Sequence, residues 1–439
     1  MSTYHPDLIE RAVPRYTSYP TAAEFGDAIG PADLSDALRS IAPGARLSLY
    51  VHIPYCTEIC WYCGCNTGAA NKRSRLDAYL EALEAEIDLV AGMLPVDIDV
   101  AHVAFGGGSP NALQPLQFAR LVDRVLTRFR AVRPALSVEV DPRHFDPVWG
   151  HVLRSAGFDR ASLGVQTLDP KVQQAIGRVQ PAAMIAAVTD TLRDAGIRSL
   201  GYDLMYGLPH QGLLELEETL HDATALGPDR LSVFGYAHLP EMLPRQRRID
   251  AAGLPSPRAR FEQTMAARRR LMDAGYAPIG FDHFARPGDV LDVAMRAGRL
   301  RRNFQGYTDD DCDILIGLGA SAISRLPGLY AQNEKLAGRY RMRVGAGQLA
   351  TQRGIARTAD SIRRGRIIEQ LLCEGAVQLP ADLAGRLGRH ISAFTARGLA
   401  HLDGDTLRLD ETGWPYARLI ASGFDAYRST SHGGFSQAS

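Results

Sequence analysis

The sequence predicts an α/β fold: a partial (β/α)6 barrel with an N-terminal extension and a small, mostly helical C-terminal domain. Two observations predict it. Strand-like and helix-like segments alternate from about residue 46 to 275, and polar residues and glycines collect at the ends of the strand-like segments. Alternation implies parallel strands joined by right-handed crossovers. In barrels of this kind the chemistry sits at the C-terminal strand ends and the loops that follow them.

The expected strands are LSLYVHI (47–53), VAFGG (103–107), LSVEVD (136–141), ASLGVQ (161–166), LGYDLMYG (200–207) and LSVFGY (231–236). Each is short, rich in Val, Leu or aromatics, and ends in Gly or a polar residue, as strands do. Leu76, Leu80, Leu83, Ile87 and Leu94 keep one face in a first helix, and Phe118, Leu121, Val122, Val125 and Phe129 in a second. Pro115 stands where a first helical turn begins. The stretches 181–196 and 256–274 also read as helices, ending near Gly196 and Gly275. Beyond about 330 the chain turns basic and strand-poor (338–366), a solvated surface on the plainest reading. Helices near 367–397 and a hairpin turning at Asp403-Gly404 follow, which suggests a winged-helix-like unit. The expected division is 1–45, 46–330 and 331–439.

Composition narrows the class. Lys+Arg and Asp+Glu balance at 49 each, so no net charge draws the chain to nucleic acid or an anionic membrane. No apolar run is long enough to span a bilayer, and the first residues are polar rather than signal-like. A cytoplasmic protein is expected, and a monomer, since no interface signal appears.

Four of the six cysteines fall between 56 and 65, in YVHIPYCTEICWYCGCNTG, spaced C-x3-C-x2-C-x-C. Clustering in a long chain of this kind argues for metal or redox chemistry over a disulfide framework. Thiolates are the usual ligands of iron–sulfur clusters. Three of them leave one iron of a cubane open to a small molecule, which suggests catalysis rather than electron carriage. The alternative is a zinc site of all four cysteines; structural zinc sites, however, usually pair two separated C-x2-C elements.

The first three cysteines, with Tyr62 directly before Cys63, resemble the signature of radical S-adenosylmethionine (SAM) enzymes. The wider chain resembles one family within them. PRYTSYPTA (14–22), YVHIPYC…CGCN (50–66), FGGGSP (105–110), VEVDPR (138–143), SLGVQTLD (162–169), YDLMYGLPHQ (202–211), SVFGYAHLP (232–240) and RNFQGYT (302–308) are similar, in order, to the oxygen-independent coproporphyrinogen III oxidases. The resemblance covers about residues 10 to 330, more weakly to the end.

That resemblance implies a barrel of the radical SAM type with the N-terminal segment covering the active site. It implies a [4Fe-4S] cluster on Cys56, Cys60 and Cys63, two SAM molecules, and a one-electron donor such as flavodoxin or ferredoxin. The reaction it implies turns two propionates of coproporphyrinogen III into vinyls, giving protoporphyrinogen IX in haem biosynthesis. Tyr50, Gly107, Glu139 and Ile323 match positions around the first SAM; Tyr62, Gly108, Ser109, Gln166, Arg178, Asp203 and Ala237 match the second. Strand alternation puts Glu139 and Asp141 on one face, so either could be a loop cap. Ile323 also reads as plain core. Asp203 sits in an apolar strand, where a carboxylate needs a partner, with Arg178 the structural candidate. Gln166 also reads as a polar residue at a barrel mouth.

His52, Cys65 and Arg15 are the expected catalytic residues. His52 competes with a core histidine, Cys65 is not expected as an iron ligand, and Arg15 suits a substrate with four carboxylates. Arg301 stands where the family commonly has His. A haem chaperone of the same fold, a radical methyltransferase that opens haem and a zinc-stabilised nucleic-acid module are the competing readings. The YTSYP segment and Cys65 favour the oxidase over the chaperone, and the neutral charge disfavours the last.

Overall fold

In the computed structural model, residues 2–428 are described. Met1 and residues 429–439, the last of the expected C-terminal domain, lie outside them. The main sheet has twelve strands. In chain order they are β1 (Arg46–Ile53), β2 (Asp99–Gly107), β3 (Ala135–Val140), β4 (Arg160–Gln166), β5 (Ser199–Tyr206), β6 (Arg230–Gly235), β7 (Ala277–Ile279), β8 (His283–Ala285), β9 (Ile314–Leu318), β10 (Ile323–Arg325), β11 (Leu329–Asn333) and β12 (Thr351–Ala356). Their spatial order is β12-β11-β10-β9-β1-β2-β3-β4-β5-β6-β8-β7.

The six expected strands are β1 to β6, adjacent and parallel, as strand–helix alternation demands. The sheet extends at both ends. β9 joins β1 as a further parallel strand, β10 to β12 continue antiparallel, and β8 and β7 add antiparallel strands beyond β6. These outer strands escape the sequence reading because most are three to five residues long, too short for a period to show. The stretch 338–366, expected to be strand-poor, contains β12, whose TQRGIA is polar and lies at the sheet edge. The sheet thus runs past the boundary expected at 330.

Helices cover the outside: α1 (Arg73–Ala91), α2 (Pro115–Arg128), α3 (Val148–Ala156), α4 (Ala182–Asp194), α5 (Leu213–Ala225), α6 (Pro257–Asp273), α7 (Ala337–Gly345), α8 (Ala359–Glu374) and α9 (Ala381–Thr395). The first, second, fourth, sixth, eighth and ninth match the sequence reading. The strand side chains that face these helices are apolar. In β3 and β4, Leu136, Val138, Val140, Ala161, Leu163 and Val165 are buried, while Ser137, Glu139, Ser162, Gly164 and Gln166 alternate to the inner face. β5 and β6 repeat the pattern with Asp203, Met205, Ser232 and Phe234 on the less buried face. The period of two therefore collects the polar residues inside the barrel.

The N-terminal 45 residues divide between two cores. Ile29, Leu34, Leu38 and Ile41 join the core of the main sheet. Leu8, Ile9, Val13, Tyr16 and Tyr19 instead pack with α8, α9 and their neighbours. The C-terminal part adds a small sheet of Ala376–Gln378, Thr406–Leu409 and Ala400–Asp403, the last two forming the expected hairpin.

Candidate functional site

The cysteine loop leaves the C-terminal end of β1 and is clamped at its base. Tyr55–Cys56 pairs with Gly68–Ala69, and the Ala70 N–H donates to the Cys56 carbonyl at 2.9 Å. The residues just after β2 hold its start: the Gly108 and Ser109 N–H groups donate to the Ile53 and Tyr55 carbonyls at 2.9 and 2.8 Å. Midway, the Trp61 N–H donates to the Ile176 carbonyl at 3.0 Å, and the Arg248 guanidinium lies 4.3 Å from the centre of the Trp61 ring. On the far side, Gln246 donates to the carbonyls of Tyr62 at 2.9 Å and Ala237 at 3.1 Å.

The loop forms one wall of a cavity of about 720 Å3 at the barrel mouth. Cys56, Cys60, Cys63 and Cys65 line it with Tyr62, Gly107, Gly108, Ser109, Glu139, Gln166, Arg178, Asp203, Ala237 and Arg15. Fourteen residues predicted from scattered parts of the chain thus meet around one space, in the size range of a ligand site. Tyr50, His52 and Ile323 stand outside its lining. Ile323 lies in β10, its backbone packed against Gly317. The Tyr50 hydroxyl and His52 Nδ1 are 3.2 Å apart, and the His52 ring closes on Gly107.

Two arginines reach the buried thiol. Arg178 Nη1 donates to Cys60 Sγ at 3.2 Å and Arg143 Nη2 at 3.3 Å. Both also grip Asp141: Arg143 Nη2 at 2.6 Å, Arg178 Nη2 at 3.2 Å. Burial pushes the Asp141 carboxyl up, but Arg178 and Arg143 outweigh it and hold it at about 2. The sequence pairs Arg178 with Asp203; the structure gives it Asp141 instead, because β3 ends beside the thiols and brings Asp141 to them. Asp203 has the Ser232 hydroxyl as its hydrogen-bond partner, and burial raises its carboxyl. Asp141 is also the cap of the short helix Pro142–His144, accepting from the Arg143 N–H at 3.1 Å.

Glu139 accepts the Gly107 N–H at Oε2, 2.9 Å away. Burial pushes this carboxyl up to about 7, and Asp203 adds to the rise. Burial also holds His52 down at about 4, so its imidazole is neutral at pH 7. Arg15 arches over the mouth, its Nη2 donating to the Gly235 carbonyl at 3.0 Å and its guanidinium 5.3 Å from the Phe234 ring centre.

The donor set fits an iron–sulfur cluster. Three thiols stand around one cavity, and two cations offset the negative charge such a group carries. Among the described residues, the trio of metal-ligating atoms drawn within 4.8 Å of one another is Asp310, Asp311 and Cys312. Cys65 is exposed, and its N–H donates to Cys63 Sγ at 3.4 Å.

The sequence reading missed Arg143 and the roof formed by Leu239, Met242, Leu243 and Gln246. Arg143 lies inside the VEVDPR block and could have been weighed with Asp141. The roof segment has no period or motif that points to a cavity.

A family model described as the radical SAM superfamily matches residues 50–223, the span from β1 to α5 that contains the cysteine loop. The class of protein that fold and site define is thus a radical SAM enzyme. The chain is 42% identical to an oxygen-independent coproporphyrinogen III oxidase of Bradyrhizobium diazoefficiens, over 95% of each chain. It is 41% identical to one of Pseudomonas aeruginosa, over 96% of this chain and 95% of the other. Among solved structures it is similar to the coproporphyrinogen III oxidase of Escherichia coli, described as a radical SAM enzyme, with a TM-score of 0.89, 38% identity and coverage of 94% and 97%. The chain belongs to the oxygen-independent coproporphyrinogen III oxidase family.

Proposed function

We propose that the chain decarboxylates two propionates of coproporphyrinogen III oxidatively, without oxygen, to give protoporphyrinogen IX. The observation that carries this reading is the meeting of three loop thiols with Glu139, Asp203 and Arg15 around one cavity. Full-length similarity to relatives named as oxidases favours it over a haem chaperone.

In this reading Cys56, Cys60 and Cys63 hold a [4Fe-4S] cluster, which when bound supplies the electron that splits the carbon–sulfur bond of SAM. Gly106 and Gly107 leave room for backbone approach, because a Cβ at either would meet Glu139 or His52 within 2.4 Å. Glu139, with its pKa near 7, accepts from an ammonium or hydroxyl brought beside Gly107. Tyr50, whose hydroxyl meets the His52 ring, is placed by this reading beside the first SAM, and His52, packed on Gly107, has a positioning role. Tyr62, Gly108, Ser109, Gln166, Arg178, Asp203 and Ala237 line the remaining volume, where a second SAM is proposed. Ile323, from the neighbouring strand, packs behind the first. Arg15 offers a cation to a substrate carboxylate. A cytoplasmic monomer and a donor such as flavodoxin or ferredoxin complete the proposal; no helix among the described residues is long and apolar enough to cross a membrane.

The test is anaerobic. The reconstituted chain is given SAM, a strong one-electron reductant and coproporphyrinogen III, and products are read by mass spectrometry. Loss of two carbon dioxide units, with 5′-deoxyadenosine, supports the reading. Cleavage of SAM with the porphyrinogen intact would reject the substrate and keep the class.

A further inference from the structure

A second cavity, of about 190 Å3, lies between the N-terminal segment and the far edge of the sheet. It shares no lining residue with the thiol cavity. Thr17, Ser18 and Tyr19 wall one side; Arg325 at the end of β10, Tyr330 on β11, Arg357 just after β12 and Arg366 on α8 wall the others.

Its charges do not balance. Arg301, Arg302, Arg325, Arg357 and Arg366 face two carboxylates, Asp313 and Glu369. Arg301 engages both carboxylates, Glu369 through Nε at 3.2 Å and Asp313 through Nη2 at 3.3 Å. Arg302 is placed between the Phe281 and Tyr307 rings, 4.7 and 4.5 Å from their centres, and 3.8 Å from Asp282. The other three have no carboxylate within ion-pair distance among the described residues. Arg325 donates to the Cys312 carbonyl and Arg357 to the Leu326 carbonyl, leaving the buried Nε of each without a hydrogen-bond partner. Burial lowers the Arg357 pKa; Tyr330 and Asp313 oppose this, while Arg325 and Arg366 add to it.

Arg325 and Arg357 are half-buried, each with a buried Nε that lacks a partner, which is costly; with the exposed Arg366 they put three guanidinium groups on one small cavity, where they repel one another. An anion relieves both. Guanidinium forks match carboxylate and phosphate oxygens. The volume suits a single phosphate or a short organic acid, not a tetrapyrrole ring. We propose that this cavity binds a small oxyanion, a phosphate group or the carboxylate end of an organic molecule, and that the anion ties the N-terminal segment to the sheet edge. The tie reaches the thiol cavity through the backbone, since Arg302 Nε donates to the Arg15 carbonyl at 3.3 Å. This inference does not depend on the reaction proposed above.

The experiment is thermal unfolding of the full chain in rising inorganic phosphate or citrate, against sodium chloride at matched ionic strength. A saturable rise in Tm of about 3 °C, absent in chloride, is expected at a hundredfold excess over Kd. Arg366→Glu, at an exposed position, should hold or raise the Tm in chloride, since it relieves the repulsion, and weaken the phosphate response at least tenfold in apparent Kd. Coproporphyrin III separates the sources: if it competes with phosphate, the natural anion is a substrate propionate; if not, it is a free phosphate or acid. Tungstate soaked into crystals should give its heavy-atom signal beside Arg325, Arg357 and Arg366. Equal responses to phosphate and chloride, an unaltered phosphate response in Arg366→Glu, or tungstate bound elsewhere would overturn the proposal.

Discussion

The Gly107 N–H donates to Glu139 Oε2 at 2.9 Å, and the His52 ring packs on the same glycine from the other side. Gly107 has a φ of 103°, and a Cβ there would stand 2.2 Å from the His52 ring. Gly107→Ala therefore has to move the backbone, and the Glu139 contact moves with it. We expect SAM affinity to fall at least tenfold while bound iron stays at the wild-type level. Equilibrium dialysis with SAM and iron analysis on the same sample check this; unchanged affinity would sink it.

Arg178 is the cation closest in role to a tuning residue. Removing it takes a hydrogen bond from Cys60 Sγ and a counter-charge from Asp141. Arg178→Met should make the cluster harder to reduce, since hydrogen bonds to the sulfurs and local charge set cluster potential. Activity should fall roughly 10- to 100-fold, as for other outer partners of metal ligands. A potential titration followed by electron paramagnetic resonance reads the first effect. An unaltered midpoint would mean that Arg178 only packs.

The two kinds of cysteine separate by iron content. Cys60→Ser, at a buried thiol with two arginine donors, should lose iron and SAM cleavage together. Cys65→Ala, at an exposed thiol, should retain iron close to the wild-type amount. Loss of iron from Cys65→Ala would make Cys65 a ligand.

Glu86 predicts a pH effect far from the chemistry. Its carboxylate, 2% exposed, accepts from the Gly319 N–H at 2.6 Å, the Tyr340 hydroxyl at 2.7 Å and Asn333 Nδ2 at 2.7 Å. Burial raises its pKa to about 7 from an ordinary 4.5, although these three donors pull it down. The folded state therefore holds this proton more tightly than the unfolded chain. Its contribution is complete below about pH 4.5 and is lost as pH rises through 7, a swing of about 3 kcal/mol. Glu86→Gln should remove that slope from denaturant-derived stability measured between pH 4.5 and 7.5. A slope equal to wild type would place the effect on another group.

The sequence alone determined the six strands that build the barrel and the face each presents. Hydrophobic period is local: Leu136, Val138 and Val140 alternate with Ser137 and Glu139 whatever stands beside them. The thiol spacing is also local, held within one loop. The tertiary structure alone decided what surrounds those thiols. Arg178 lies 118 residues from Cys60, and nothing in either segment sets their approach. It follows from four neighbouring parallel strands, β1 to β4, whose ends and following loops converge on one mouth. The same holds for the N-terminal segment. Tyr16 donates to Asp425 Oδ2 at 3.0 Å, so its chain is fixed by a partner 409 residues away. Short-range pattern writes the strands into the chain, whereas charge pairing, cavity walls and the closing segment depend on contacts whose partners are brought together only by folding.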